Sequence, residues 1–393
     1  MSVSVKASSL PRNGQVRILQ IVESLHTGAV ENWLYRVFSA VSANYSDYHW
    51  TFFCTSGKPG RLDEKVRGLG GEIIYSPYTI GEKRAFFFSL REVIKEGHYD
   101  ILHCHHDFVS AIYLCASLGI PLRRRIVHVH NTDEGILTPS RLKQFLLKEP
   151  MRQTCMHLAD NIVGISKEAL NKFIRSTRLK PGRDQVVYYG IDTSVFRQDI
   201  PTPEQFRLGL GFSSATKILL FVGRMVPLKN PCFVVDVLAA LASRDPSVVA
   251  VFVGAGDLEA TVRELAEQEQ LQDRVRILGW RDDTATIMRL CDLLVFPRLE
   301  EPKEGLGLVL VEAQAAGLPI LASPSITKDV QVIPELFEII PLAAGPEAWA
   351  ERIHAMLSQK RLPRQRYLAR VEASSFSITA GISNLLALYS DQN

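Results

Sequence analysis

Short runs of β-branched and aromatic residues alternate along this chain with longer stretches in which apolar residues recur every three or four positions. The first pattern predicts buried strands and the second amphipathic helices. In the first half the strand runs are Arg17–Val22, Trp50–Cys54, Glu72–Tyr75, Ile101–His103, Arg125–His130 and Asn161–Ile165. Between them, helical spacing covers Val30–Ser42, Leu62–Leu69, Ala85–Glu96, Val109–Leu118, Arg141–Leu158 and Lys167–Arg175. A polar segment from Asp192 to Thr216, with Pro201 and Pro203, interrupts the pattern. It restarts with strands at Ile218–Val222, Val248–Val253, Val275–Leu278, Leu293–Phe296 and Ile320–Ala322, and with helices opening near Pro231, Leu258, Thr284 and Gly307. Strand-helix alternation builds parallel sheets wrapped by helices. Two such domains are expected: a disordered leader over 1–15, a first α/β domain over 16–198, a second over 199–373, and a closing helix within 374–393 able to fold back on the first domain. Open parallel sheets bind ligands at the carboxyl ends of their strands, so two facing domains imply a central cleft.

Composition adds limits. With 393 residues, 46% hydrophobic and 22% charged, the chain suits two soluble globular domains. Its longest apolar run, Phe108 to Ile120, falls short of the ~20 residues that cross a bilayer. The first fifteen residues lack the apolar core of a secretion signal. Six cysteines without paired spacing sit mostly in apolar runs, as buried thiols of a reducing, cytoplasmic compartment do. Residues 1–190 hold 25 Lys+Arg against 17 Asp+Glu, and the rest 20 against 25. A basic first half suits an anionic membrane surface or a diphosphate-bearing acceptor. No zinc-ligand spacing, recognition helix or aromatic-basic repeat points to nucleic acid.

The segment Phe296 to Ser323 carries the clearest chemistry. A strand ends, a loop follows, and a helix runs from about Gly307 to Gly317. Glu304 stands at the helix entrance and Glu312 one to two turns inside. The N–H groups between them form an anion site, which Gly305 and Gly307 let a phosphate approach closely. Two carboxylates flanking a phosphate cradle suit a sugar nucleotide. Arg224 and Lys229 follow the strand Ile218–Val222 and its Gly223, at a spacing that lets both reach one diphosphate. Gly254-Ala255-Gly256 is not a dinucleotide fingerprint, since Glu259 occupies the third glycine position. In the run from His103 to His106, adjacent strand residues face opposite ways, so no metal site is expected. His128 reads as structural.

These motifs resemble those of the retaining glycosyltransferase family four, and the likeness extends from about Arg17 to Tyr389. It implies a GT-B fold of two Rossmann-like domains. It also implies that Glu304 touches hydroxyls of the donor sugar, that Glu312 grips the ribose, and that Arg224 and Lys229 neutralise the diphosphate. Gly28, in Gly28-Ala29-Val30-Glu31, matches a loop that contacts the donor phosphate or the acceptor, in which a second glycine usually stands at Ala29, and Gly28 is the expected donor-binding residue. His130 matches a histidine near the reacting sugar. Gly254 borders the nucleotide pocket, Trp280 and Arg281 meet the base, and Gly223, Gly305, Leu306 and Gly307 complete the donor cradle. Asn131 and Tyr189 replace the family's more frequent Asp and Asn. Glu301 competes with Glu304 as the first glutamate, and the seven-residue gap to Glu312 favours Glu304. GAVENWLYRV, ILHCHHDF, HVHNT and EAQAAGLPILAS are most similar to bacterial exopolysaccharide and capsular transferases. The expectation is a metal-independent, retaining hexosyltransferase without cofactor, lacking an Asp-x-Asp motif. It would use a UDP- or GDP-sugar and a lipid-linked glycan, peripheral to the inner membrane face. The alternatives are a sugar-nucleotide epimerase or hydrolase, and a non-catalytic nucleotide-sugar-binding subunit.

Overall fold

A computed structural model describes residues 14–26, 28–131, 141–176, 179–242 and 244–390, with backbone alone at 29 and 141–145. The leader expected over 1–15 lies, except for its last two residues, outside the described residues. The chain forms two compact units, one reaching to Gly190 and taking back the residues from Ile378 on, the other spanning Ile191–Ser377.

The first unit holds strands β1 (Val16–Val22), β2 (Tyr48–Cys54), β3 (Glu72–Tyr75), β4 (Ile101–Cys104), β5 (Arg124–Val129), β6 (Asn161–Gly164) and β7 (Asp184–Val186). They form one sheet in the order β3-β2-β1-β4-β5-β6-β7. Every pairing is parallel, with Ile18 opposite both Trp50 and Ile101, and Ile101 opposite Arg124. The central strands are apolar on both faces because helices cover both, as in other all-parallel sheets.

The second unit repeats the plan with β8 (Lys217–Val222), β9 (Val248–Val253), β10 (Val275–Ile277), β11 (Leu293–Phe296), β12 (Ile320–Ala322) and β13 (Phe337–Ile339). Their order is β10-β9-β8-β11-β12-β13, again all parallel. Trp349 is fully buried and packs with Leu219, Val237, Phe252 and Val295.

Three helices and two strands go beyond the sequence pattern: Pro203–Gly209, Gly345–Leu357, Arg364–Glu372, β7 and β13. The polar segment expected as a linker contains the first of these. Thr202 caps it in a reciprocal box with Gln205, and Pro203 fills the first turn, where no N–H is needed. The division consequently falls at Gly190/Ile191, not at 198/199. Ile191 bridges to Ser377, and Arg197 makes a bidentate pair with Glu372 at 2.7 and 2.8 Å. The closing helix expected within 374–393 runs Ile378–Tyr389 and belongs to the first unit. Among the described residues no helix is long and apolar enough to cross a membrane.

Candidate active site

In the second unit the turns after β8, β9 and β10 interlock at the carboxyl end of the sheet. Gly223 N–H donates to Val253 O (3.0 Å), Met225 N–H to Ala255 O (3.0 Å) and Gly254 N–H to Gly279 O (2.8 Å). A Cβ on Gly254 would lie 2.0 Å from Gly223 O, and one on Gly256 2.4 Å from Met225 O. These glycines therefore serve close packing of the turns onto one another. Trp280 and Arg281 extend from this platform and are exposed. Trp280 Nε1 donates to Asp282, and Arg281 is bidentate to Asp283 at 2.7 Å, so neither side chain bonds to the lysine-glutamate cluster described next.

That cluster is made by Lys229, Arg298 and Glu304. Lys229 Nζ is ion-paired with Glu304 Oε2, and Arg298 Nε approaches the same oxygen at 2.8 Å. Lys229 also lies 5.5 Å above the Phe296 ring. Burial pulls the Lys229 ammonium below its usual range, and the Glu304 carboxylate opposes that shift. Arg224 is exposed and makes no hydrogen bond or ion pair with Lys229 or Glu304; its charge bears on Lys229 only as the weakest of the influences on that ammonium. Glu304 is fixed by its own N–H, which donates to Ser325 O (2.8 Å), while Glu301 is exposed. The structure thus brings together Lys229 and Glu304, adds Arg298, and leaves the Arg224 side chain in solvent outside that cluster. Sequence reasoning missed Arg298, whose only signal was its place two residues after β11.

Beyond Glu304, Gly305 and the buried Leu306 lead to Gly307, which caps the helix Leu308–Ala315 from the left-handed region (φ 78°). Only glycine adopts that conformation without strain. A Cβ there would meet the Glu304 stem at 3.3 Å, so cap and carboxylate are packed as one piece. The first N–H groups of this helix have no intrahelical acceptor and point at the place an anion would take. Glu312, half-buried, stands on the second turn.

In the first unit, Gly28 caps the helix Ala29–Asn44, and Glu31 folds its carboxylate back over it; a Cβ on Gly28 would touch Glu31 Oε2. Burial raises the Glu31 carboxyl above its usual range. His130 directly follows β5 and is 7% exposed, with its N–H on Asp107 Oδ1 at 2.7 Å. Its ring belongs to a buried chain that sequence reasoning missed. Tyr189 OH bonds His130 Nδ1, His130 Nε2 bonds His105 Nδ1 (3.0 Å), and His105 Nε2 bonds Gln20 Oε1 (2.8 Å). Gln20 Nε2 then donates to Tyr389 OH (2.9 Å), which bonds His103 Nδ1 (2.8 Å), and His103 Nε2 bonds His128 Nδ1 (3.2 Å). Burial holds all four imidazoles below their usual range, hence neutral, and a neutral ring donates from one nitrogen and accepts at the other. Since Gln20 Oε1 accepts, His105 Nε2 donates, so His130 Nε2 gives to His105 Nδ1 and Tyr189 gives to His130; the branch through Tyr389 ends at a buried His128 Nε2 without a partner among the described residues.

Alternation along a strand does separate His103 from Cys104, but it returns His105 to the His103 face, beside His128 and His130. Ring nitrogens of His103, His105 and His128 lie within 4.8 Å of one another. The separation expected for neighbours in the His103–His106 run was therefore the wrong comparison, and His128 is the far end of the chain that runs through His130.

Two parallel α/β units of this kind define the GT-B fold. HepE of Anabaena, solved in complex with UDP, matches with a TM-score of 0.75 at 18% identity, covering 95% of this chain and 98% of its own. Residues 30–195 match the family model described as Glycosyltransferase Family 4, and residues 204–370 that of Glycosyl transferases group 1. EpsF of Bacillus subtilis (strain 168), named as a glycosyltransferase, is 27% identical over 384 residues, 96% of this chain and 97% of its own. The UDP-Gal:alpha-D-GlcNAc-diphosphoundecaprenol alpha-1,3-galactosyltransferase of Escherichia coli is 26% identical over 272 residues, 67% of either chain. The chain belongs to glycosyltransferase family four.

Proposed function

We propose that the protein transfers a hexose from a UDP- or GDP-sugar to a hydroxyl of a lipid-linked glycan, with retention, at the inner face of the cell membrane in polysaccharide synthesis. The observation that carries this reading is the shared Glu304 oxygen. Lys229 and Arg298 converge on one carboxylate beside a glycine-capped helix start, so a donor diphosphate finds cations already gathered. Arg224 and Lys229 stabilise the negative charge that grows on the leaving diphosphate, while Glu304 turns to the sugar hydroxyls and Glu312 to the ribose. The acceptor oxygen attacks the anomeric carbon from the side the diphosphate leaves. The C–O bond to the diphosphate breaks as the new glycosidic bond forms, and the departing phosphate oxygen takes the acceptor proton. His130, held by Tyr189 and His105, lines the sugar side. Two basic residues and helix N–H groups supply the charge a metal would otherwise bring, so the reaction needs no cation or cofactor. The UDP bound to HepE and the diphosphoundecaprenol acceptor of the E. coli relative support the choice of donor and acceptor classes.

The test supplies UDP-glucose, UDP-galactose or GDP-mannose with and without a prenyl-diphosphate-linked sugar, in excess chelator. Acceptor-dependent release of nucleoside diphosphate, with an axial linkage from an axial donor by NMR, is expected. Equal release without acceptor would make the protein a hydrolase, and loss on chelation restored by manganese would overturn metal independence.

A further inference from the structure

Arg298 meets Glu304, but the transfer proposed above gives it no contact of its own with the donor. It is 4% exposed, and its Nε lies 2.8 Å from the Glu304 oxygen that also pairs with Lys229. The guanidinium is held at that point. Its Nη1 donates to Leu299 O (2.9 Å) and to Pro302 O, which fixes the plane of the fork. The backbone around it is pinned as well. Ser323 Oγ donates to Arg298 O (2.6 Å) and lies 2.9 Å from Ser325 Oγ, while Ser325 O takes the Glu304 N–H (2.8 Å). Leu299 N–H donates to Leu228 O (3.0 Å), inside the short helical turn Pro227–Lys229 that carries Lys229. Lys229, Arg298 and Glu304 are thus set by the loops after β8, β11 and β12, which bond to one another.

A point reached by an ammonium and a guanidinium together suits an anionic oxygen, and carboxylate and phosphate oxygens meet that demand alike. The proposed transfer sends Glu304 to the sugar hydroxyls. For a guanidinium this far from water, losing that oxygen is costly unless another anionic oxygen takes its seat. The donor brings one. Its β-phosphate carries the sugar, so it is the phosphate nearest to the group that Glu304 serves.

We propose that Arg298 is a third donor-binding cation: its Nε, with Lys229 Nζ, takes an oxygen of the β-phosphate where Glu304 Oε2 now stands. The assignment rests on the transfer reading above, and deepens it by adding Arg298 to Arg224 and Lys229 and by setting an order of events. Glu304 is released to the sugar only as the diphosphate arrives. A sugar without its diphosphate does not draw the carboxylate away.

Calorimetry on the full chain tests it, with UDP and UMP as probes, or GDP and GMP should the wild type prefer guanine. The parent is Glu304→Gln, in which an arginine that serves only to hold that carboxylate has nothing left to hold. In this parent Arg298→Gln should weaken the nucleoside diphosphate about tenfold or more, the loss of a charge-assisted contact, and leave the monophosphate within about twofold. Arg298→Lys keeps a cation without the fork and should weaken the diphosphate less, by about threefold. Unchanged diphosphate affinity in a folded Arg298→Gln, or equal loss with both nucleotides, would overturn the assignment. If neither substitution folds, inorganic pyrophosphate decides without touching the arginine. It should raise the Tm of Glu304→Gln more than that of the wild type, because the competing carboxylate is gone, and equal shifts would overturn the exchange. A wild type that binds neither nucleoside diphosphate would overturn the function proposed above, and this assignment with it. Tight diphosphate binding that ignores Arg298 would overturn the assignment alone. Arg298-dependent binding in a protein that transfers no sugar would do the reverse.

Discussion

At the scale of single residues, the role proposed for Glu304 requires it to leave two partners before it meets a sugar. Its Oε2 is shared between Lys229 and Arg298, so the carboxylate neutralises the cations that the diphosphate needs. A nucleoside diphosphate must compete with it. Glu304→Gln removes that competitor, and the variant should bind UDP about tenfold more tightly, a charged hydrogen bond discounted for partial exposure. Turnover should nevertheless fall about 10²-fold, because a contact to the transferring sugar is lost. Glu312→Ala should weaken UDP instead, and Lys229→Ala should weaken UDP and slow transfer together. Calorimetry beside steady-state kinetics separates the three. If UDP binds Glu304→Gln and wild type alike, the ion pair is not what the donor displaces.

Elements carry the buried histidines. His103 and His105 lie on one face at the end of β4, and His128 and His130 on the same face of β5, because residues two apart on a strand point the same way. His106 joins them from the turn, with Nδ1 2.5 Å from Tyr113 OH. Burial depresses all five, to about 3 for His128 and about 4 for His106. The folded pKa lies below the unfolded value near 6.5, so between those limits the unfolded chain binds more protons. Stability is then level above pH 6.5 and falls as pH drops toward 4. At pH 5, His106 and His128 should each cost about 2 kcal/mol relative to pH 7.5. Urea midpoints at the two pH values measure this, and an unchanged midpoint would mean that the imidazoles reach water. The spacing of these histidines was visible in the sequence; their meeting was not, since it needs β4 and β5 to be neighbours, with His103 opposite Ile126. The central strands were legible because a short apolar run bounded by polar turns is too brief for a helix and too apolar for a loop. β7 and β13 were not: Asp-Gln-Val and Phe-Glu-Ile are three-residue edge strands, half polar, that only a neighbouring strand defines. The glutamate pair was readable from its loop and helix, whereas Arg298 is one cation among many until the fold points it at Glu304.

At the scale of the molecule, the chain crosses into its second unit and returns. The final helix is amphipathic enough to announce itself, but its destination depends on a side chain 369 residues from its partner, the bond from Gln20 to Tyr389. Tyr389 is fully buried, meets Trp50 edge-on at 5.9 Å, and supplies the hydroxyl that joins Gln20 to His103. Gly381 lets the helix approach closely, as a Cβ there would stand 3.1 Å from Gly190 N. Arg124 Nη1, on β5, holds the far end through Leu388 O at 2.8 Å. The helix is therefore part of the first unit's core, and its hydroxyl sits in the chain that fixes the proton on His130. Tyr389→Phe keeps the ring and strands two buried partners, Gln20 Nε2 and His103 Nδ1, a loss of about 1–3 kcal/mol. Tyr389→Ala adds the cavity and should cost about 3–5 kcal/mol. Hydrogen exchange read by mass spectrometry locates the effect: protection should fall in β1, β2 and β4 and stay unchanged in β8, β9 and β11. Faster exchange confined to the second unit would show that the returning helix does not stabilise the sheet it packs on. The same Tyr389→Phe protein tests the histidine chain, for with Gln20 released, its amide no longer sets which nitrogen of His105 carries the proton. The NMR signature of the His105 and His130 tautomers should then change, while a purely packing role for Tyr389 would leave both as they were.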